Sequence, residues 1–354
     1  MRFHRCVPVV LGSLLALSVA LPAVAQSSTA VPYALLTTIP VPAWQDVDPG
    51  SISVDISWID PNAGLFVIGD RTAAAVQTFD ANHHTFLTAA GQGAFVGPAP
   101  TGSGGPNGVT VVGPTEVAGG DGDSTLKVVN IETGEVQSIS TGGTHRVDEM
   151  AYDAVTDTLV AANDREGETS NFLTVFRIHP LSIVGKIPCP QCSGGIEQPL
   201  LFNGRFYVAI PSTTANPGGE IDVLNTTTFK VDQVIRAGDC HPTGLAVGTG
   251  GMFVVGGGGC VIDPRTGSGV PIPEAGGDEI ATLPSPGIYA FVISGTQTLN
   301  LADGGTNQVF QKLAVALGHN VAANPLNGEL WVPDYQSKSV LVFAPASSLG
   351  GATK

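Results

Sequence analysis

Seven polar clusters in this chain each stand just before a short apolar run. They are Val54-Asp55, Asn107-Gly108, Asp148-Glu149, Glu197-Gln198, Thr243-Gly244, Asp278-Glu279 and His319-Asn320. His145 and His241 lie a few residues from two of them. Four clusters carry carboxylates, two carry an Asn, and three His are at hand. Carboxylate and amide oxygens are hard ligands suited to Ca²⁺ or Mg²⁺. Histidine nitrogen would shift the preference toward Zn²⁺. The same residue types also brace loops, because strand-start Asp, Asn and Thr accept bonds from nearby backbone N–H groups. Both readings require the seven clusters to face one place.

The elements that follow the clusters supply that requirement. Each cluster opens a phrase of apolar strand, Pro/Asn/Asp/Gly turn and second apolar strand. Clear copies are ISWIDPNAGLFVIGD from Ile56, MAYDAVTDTLVAAND from Met150, LAVGTGGMFVVGG from Leu245 and VAANPLNGELWVPD from Val321. Looser copies start at Val109, Pro199 and Ile280. The starts are 53, 41, 49, 46, 35 and 41 residues apart. That is the spacing of four-stranded propeller blades. The expected fold is all-β: a seven-bladed β-propeller of four-stranded antiparallel blades. Blades five and six read as shorter and less regular than the others. The seventh blade ends early, after SVLVFAP, and lacks an outer strand. The segment Tyr33 to Val41 is a spare strand of the right kind. It is expected to complete that blade and leave no open edge in the ring.

The first 25 residues read as a secretory signal peptide. Arg2 and Arg5 form a positive start, Val9 to Ala20 is apolar, and Ala23-Val24-Ala25 is a small-x-small cleavage site. The expected organisation is a signal peptide over 1–25 and one propeller domain over 26–354. Later segments are too short and too polar to span a membrane as a helix of about 20 residues. Net charge is −15, and loss of the two signal arginines takes it to −17. Such a balance argues against nucleic acid or anionic lipid as partner, since both need clustered Lys and Arg. A periplasmic or secreted monomer is expected, with a small-molecule ligand or an extracytoplasmic protein as its partner.

Beyond the signal the cysteines are Cys189, Cys192, Cys240 and Cys260. An even count in an exported chain suggests disulfides, with three pairings open. Proximity within each blade favours 189–192 with 240–260. A redox-active CxxC is the alternative for CPQC, but it normally opens a helix, and none is visible. CPQCS also lacks the His of a haem-attachment motif.

The phrases DPNAGLFVIGDRTAAAVQTFD and NPLNGELWVPDYQSKSVLVF resemble the YVTN-type repeat of bacterial propellers. The YVTN tetrad itself is absent. The resemblance implies a seven-bladed propeller, broadly similar to NHL and gluconolactonase-like proteins, which range from binding proteins to metal-dependent hydrolases. Gluconolactonase-like propellers hold a catalytic metal on Glu, Asn and Asp at the channel. Carried over by blade position, the implied metal ligands are Asp55, Asn107, Glu149, Glu279 and Asn320, holding Ca²⁺ or Zn²⁺. The implied catalytic residues are Glu149 with His241 or His319 as general base, the metal acidifying a water.

Other candidates read as structural. Asp70, Asp164 and Asp334 each follow a second strand and suit turn-bracing. Asp121 and Asp123 lack the remaining ligands of a Ca²⁺ loop. His83 and His84 fall on an outer hairpin and are expected to be exposed. Gly256 to Gly259 suit a bulge or a close blade contact. Asn225-Thr226-Thr227 reads as a turn. No G-x-S-x-G elbow is present. The expected function is ligand or partner binding through the channel mouth. The alternative is a metal-dependent hydrolase or lyase acting on lactones or sugar acids.

Overall fold

Residues 30–100, 103–167 and 170–349 are described in the computed structural model of the protein. The expected signal peptide and Cys6 lie outside them. Seven separate four-stranded antiparallel sheets follow one another around a ring. This is a seven-bladed β-propeller.

In the first blade the strands run Val54–Asp60, Leu65–Asp70, Ala75–Asp80 and Thr85–Ala90, from the channel outward. Every residue of Leu65–Asp70 is buried, as is every residue of its seventh-blade counterpart Glu329–Asp334. Strands covered on both faces by neighbouring blades read as near-continuous apolar runs, as expected of doubly packed sheets. Outer strands such as Lys230–Arg236 alternate toward solvent instead. The fifth blade is built from four strands of three residues each. The sixth differs from expectation. Its strands Ile280–Leu283, Ile288–Ile293, Thr298–Asp303 and Gln308–Ala314 are as long and continuous as those of other blades. Its Gly/Thr/Asn-rich stretches are the hairpin turns between them, which thin the apolar pattern without breaking any ladder.

The ring closes as the spare strand requires. Tyr33–Pro40 pairs antiparallel with Ser339–Pro345, from Tyr33 opposite Pro345 to Pro40 opposite Ser339. The Tyr33 backbone N–H donates to Gln311 Oε1 at 2.7 Å, and Gln311 Nε2 donates to the Tyr33 carbonyl at 2.8 Å. These bonds fasten the closing strand to the sixth blade as well as the seventh. Aromatic packing covers the seam with the first blade. The Trp331 and Phe66 rings lie 5.0 Å apart, and Phe66 and Phe79 lie 5.6 Å apart. His84 belongs to this seam. Its ring stacks on Trp331 at 5.5 Å, and its Nε2 lies 2.9 Å from Glu329 Oε1. The expectation of an exposed His84 is thus corrected, while His83 does face solvent. Residue 84 takes a positive φ of 54° at the hairpin turn, which swings the ring back over the sheet.

Both cysteine pairs stand at disulfide distance, with Cα atoms 5.4 Å apart for Cys189–Cys192 and 5.9 Å for Cys240–Cys260. The glycine run also fits the close-contact reading. A side chain on Gly258 would meet the Cys240 carbonyl 2.6 Å away. The Cys240–Cys260 bridge closes the longer loop and so constrains the unfolded chain more. Paired Cys→Ser replacement should therefore cost about 3 kcal/mol at 240/260 and about 2 kcal/mol at 189/192. Denaturant unfolding of the two double variants checks this order.

Candidate functional site

The innermost strands all run in the same direction, so their starts gather at one end of the channel. In the first and third blades a bulge assists. Val54 pairs with Asp70, but Ser57 pairs with Ile68; Val147 pairs with Asn163, but Met150 pairs with Ala161. One extra residue on the inner strand in each case lifts Asp55 and the pair Asp148-Glu149 out of the regular ladder. Close approach of the next blade sharpens the effect. A side chain on Gly244 would lie 2.7 Å from the Asp278 carbonyl, so glycine is the residue that fits there.

The result is a cavity of about 560 Å³ at the channel mouth. Six of the seven blades line it, and its polar groups include Asp55, Asn107, Asp148, Glu149, Glu197, Asp278 and His319. The sequence clusters therefore do converge. What they converge on includes two partly buried arginines and a third, more exposed one that the cluster pattern does not contain. Arg71 pairs with Asp55 and donates from Nε to Asn107 Oδ1 at 2.9 Å. Arg146 pairs with Asp148, lies 3.2 Å from Asp164 Oδ2, and lies 3.7 Å from Asp55. Arg165 stands at the rim, half exposed, 3.5 Å from Asp164. Arg71 and Arg165 occupy the same repeat position, directly after the Asp that closes the strand–turn–strand phrase; Tyr335 is their seventh-blade equivalent. That shared position was the available signal.

The arginines decide what the candidate ligands can do. Asn107 is fully buried; Arg71 occupies its oxygen, and its Nδ2 donates to the carbonyls of Gly104 and Val147 at 3.0 and 3.2 Å. Asn320 is also fully buried. It donates to the Asp55 carbonyl and accepts from the Ser57 hydroxyl, tying the seventh blade to the first. Asp55 opposes Arg71, Arg146 and His319 Nε2, the last at 3.6 Å. Burial pushes the Asp55 carboxyl up, but these positive neighbours outweigh it and hold it below the usual range. Among the described residues, no three His, Cys, Asp or Glu side chains are grouped as a metal would need.

The two histidines separate. His319 lines the cavity, 3.4 Å from Asp278 Oδ2. Burial pulls its pKa down, and the Asp55 and Asp278 carboxylates reverse that, for a net rise. His241 is exposed outside the cavity lining, its Nδ1 3.2 Å from the Pro211 carbonyl. His145 contacts the Thr144 hydroxyl at 3.0 Å. Asp70 and Asp334 brace turns. Asp70 accepts from the Trp44 indole and from Gln77, both at 2.8 Å, and Asp334 accepts from the Leu317 N–H at 2.9 Å. Asp164 joins the arginine network instead of serving a turn alone. Asp121 is buried and paired with Lys127.

Deeper in the channel three glutamates meet. Glu149 and Glu279 are almost fully buried, and Glu149 lies close enough to Glu279 and Glu197 for their charges to act on it. Burial pushes Glu149 and Glu279 well above the usual carboxyl range, with the Glu279 charge adding to it for Glu149 and the Asp278 charge adding to it for Glu279. Glu197 is pushed up to about 7 by burial and by Asp278 and Asp164. These groups keep protons that free carboxyls would lose.

No protein-family model and no curated protein sequence matches the chain. Many solved structures are similar in fold, and one of them illustrates the likeness. It is the Kuenenia stuttgartiensis hydrazine synthase, at 13% identity and a TM-score of 0.61. The match covers 81% of this chain and 94% of that one. At that identity the likeness carries the propeller architecture and nothing of its chemistry.

The raised glutamates set a pH dependence. A carboxyl whose folded pKa exceeds its unfolded value binds its proton more tightly in the folded state. The stability it contributes is complete below about pH 4 and is lost as pH rises through the folded pKa. Glu149→Gln should leave the melting temperature near pH 4 unchanged and raise it by a few degrees at alkaline pH. Arg146→Gln should act oppositely. It strands buried carboxylates, which typically costs about 3–5 kcal/mol, and calorimetry at pH 7 would show the loss.

Proposed function

We propose that the protein is a binding propeller of an extracytoplasmic compartment, taking a small polar ligand at the channel mouth. One observation carries this reading. Charged groups from several blades line a single open cavity, and two buried donors there are left over. Neither Arg146 Nε nor His319 Nε2 makes a hydrogen bond among the described residues. Buried polar atoms are seldom left unpaired unless a ligand or water meets them. The leftover donors suit an oxygen-rich ligand, while Glu197 and Asp278 can accept from its hydroxyl or ammonium groups. Hydroxy acids, sugar acids and small zwitterions have that mixture. Export is supported by the N-terminal leader pattern and by two cysteine pairs at disulfide distance. The YVTN-like phrases are consistent with it. Among the described residues no helix is long and apolar enough to cross a membrane.

Calorimetric titration with a panel of sugar acids, sugars and amino acids tests the proposal. A ligand of the class should bind more tightly on the acid side of the His319 titration than on the alkaline side, because His319, whose pKa is raised, is charged only on the acid side. His319→Gln should weaken it about tenfold and remove the pH difference. Elemental analysis of the same preparations separates binding from the metal-dependent hydrolase. Stoichiometric Ca²⁺ or Zn²⁺ lost in Glu149→Gln, with no panel ligand bound, would overturn the binding reading.

A further inference from the structure

Past the glutamates the channel changes character. The inner strands continue with Trp58 and Ile59, Leu200, Leu245, Ile280 and Val321. These residues line a second cavity of about 350 Å³ at the opposite end of the channel. That volume lies within the roughly 300–1,000 Å³ usual for small-molecule pockets. Its wall is mostly apolar. Trp58 is 40% exposed, whereas the other two tryptophans, Trp44 and Trp331, are completely buried. A large exposed indole beside a concave apolar surface is costly unless something covers it.

The inner end of this cavity is acidic. Glu279 lines it, while its partner Glu149 lines the polar cavity, so the carboxyl pair stands between the two chambers. Glu279 is 3% exposed. Oε1 of Glu279 and Oε2 of Glu149 accept no bond from any N–H or hydroxyl among the described residues. The chain's own cations are engaged elsewhere. Arg71 and Arg146 face Asp55, Asp148 and Asp164, and no ion pair reaches Glu149 or Glu279 among the described residues.

We propose that this end of the channel binds an alkyl- or arylammonium ion, its hydrocarbon body against Trp58 and the surrounding aliphatic wall and its ammonium on Glu279. The two halves of the site select the class together. The few side-chain oxygens of the wall, on Ser57, Gln198 and Thr282, already bond within the protein, so a bare divalent cation would find too few donors on this side. A carboxylate would find no cation on this side to pair with. A neutral alcohol could fill the wall but brings no charge for Glu279 to ionise against. An ammonium satisfies both, and its positive charge can stack near the indole face. Charge balance fixes a by-product. When the ammonium pairs with Glu279, the proton held by that carboxyl passes to buffer.

The test is titration of the purified full-length mature protein with hexylammonium, hexanol and hexanoate, followed by Trp58 fluorescence and by calorimetry in two buffers of different ionisation enthalpy. Hexylammonium should bind at least tenfold tighter than hexanol, hexanoate should not bind, and a proton should be released. Glu279→Gln should remove the tenfold advantage and the proton release while leaving hexanol unchanged. Trp58→Ala, read by calorimetry, should weaken hexanol and hexylammonium alike and decides the matter if Glu279→Gln does not fold. His319→Gln, at the other mouth, should alter neither. Equal binding of hexanol and hexylammonium, an unaltered hexylammonium affinity in Glu279→Gln, indifference to Trp58→Ala, or no binding at all would overturn the proposal.

Discussion

Seven sheets converging on one axis must crowd at their inner edges, and that crowding governs the molecule. Where the inner strands begin, one blade's backbone lies against the next, as at Gly244 and the Asp278 carbonyl. Side chains flanking these contacts have one direction open to them, into the channel. Asp55, Asp148, Glu197, Asp278 and His319 therefore meet because of the ring's geometry. Their charges must then be compensated at close range, since leaving a buried charge unpaired costs several kcal/mol.

Compensation takes two forms, and they divide the channel. Near the mouth Arg71 and Arg146 neutralise Asp55, Asp148 and Asp164. Farther in, no cation is supplied, and burial pushes the Glu149 and Glu279 carboxyls well above their usual range. The first solution leaves fixed charges and spare donors. The second leaves a carboxyl pair that holds protons more tightly than free carboxyls do, with an apolar chamber behind it. One channel thus holds two environments of different polarity, separated by a single pair of side chains.

The architecture was legible because its signal is repetitive. The strand–turn–strand phrase occurs seven times, and the unpaired Tyr33 strand could be assigned by elimination. Blade six misled because Gly and Thr concentrate in its turns, and a one-dimensional reading cannot separate turn from weak strand. The mouth was half legible. Clusters before the strands announced where polar groups gather, but Asn107 and Asn320 are spent on Arg71, Ser57 and backbone carbonyls. Arg71 was missed although Arg165 repeats its position, and Arg146 because it is one ordinary cation in the sequence; both acquire their roles only in the assembled mouth. His241 and His319 look alike along the chain; a few ångströms of loop path place one on the surface and the other in the cavity.

The closing strand carries a consequence for how the molecule comes into being. Tyr33–Pro40 and Ser339–Pro345 are paired across roughly 300 residues of chain. The first strand to emerge from synthesis therefore waits with bare backbone N–H and C=O groups until the last one arrives. Contacts of such long range form late and slowly, and an unpaired edge invites association with other chains in the interval. Completion of the ring is consequently a terminal event of biogenesis, and a chain that stops just short of residue 339 would carry six blades, the two inner strands of a seventh and a first strand with nowhere to go.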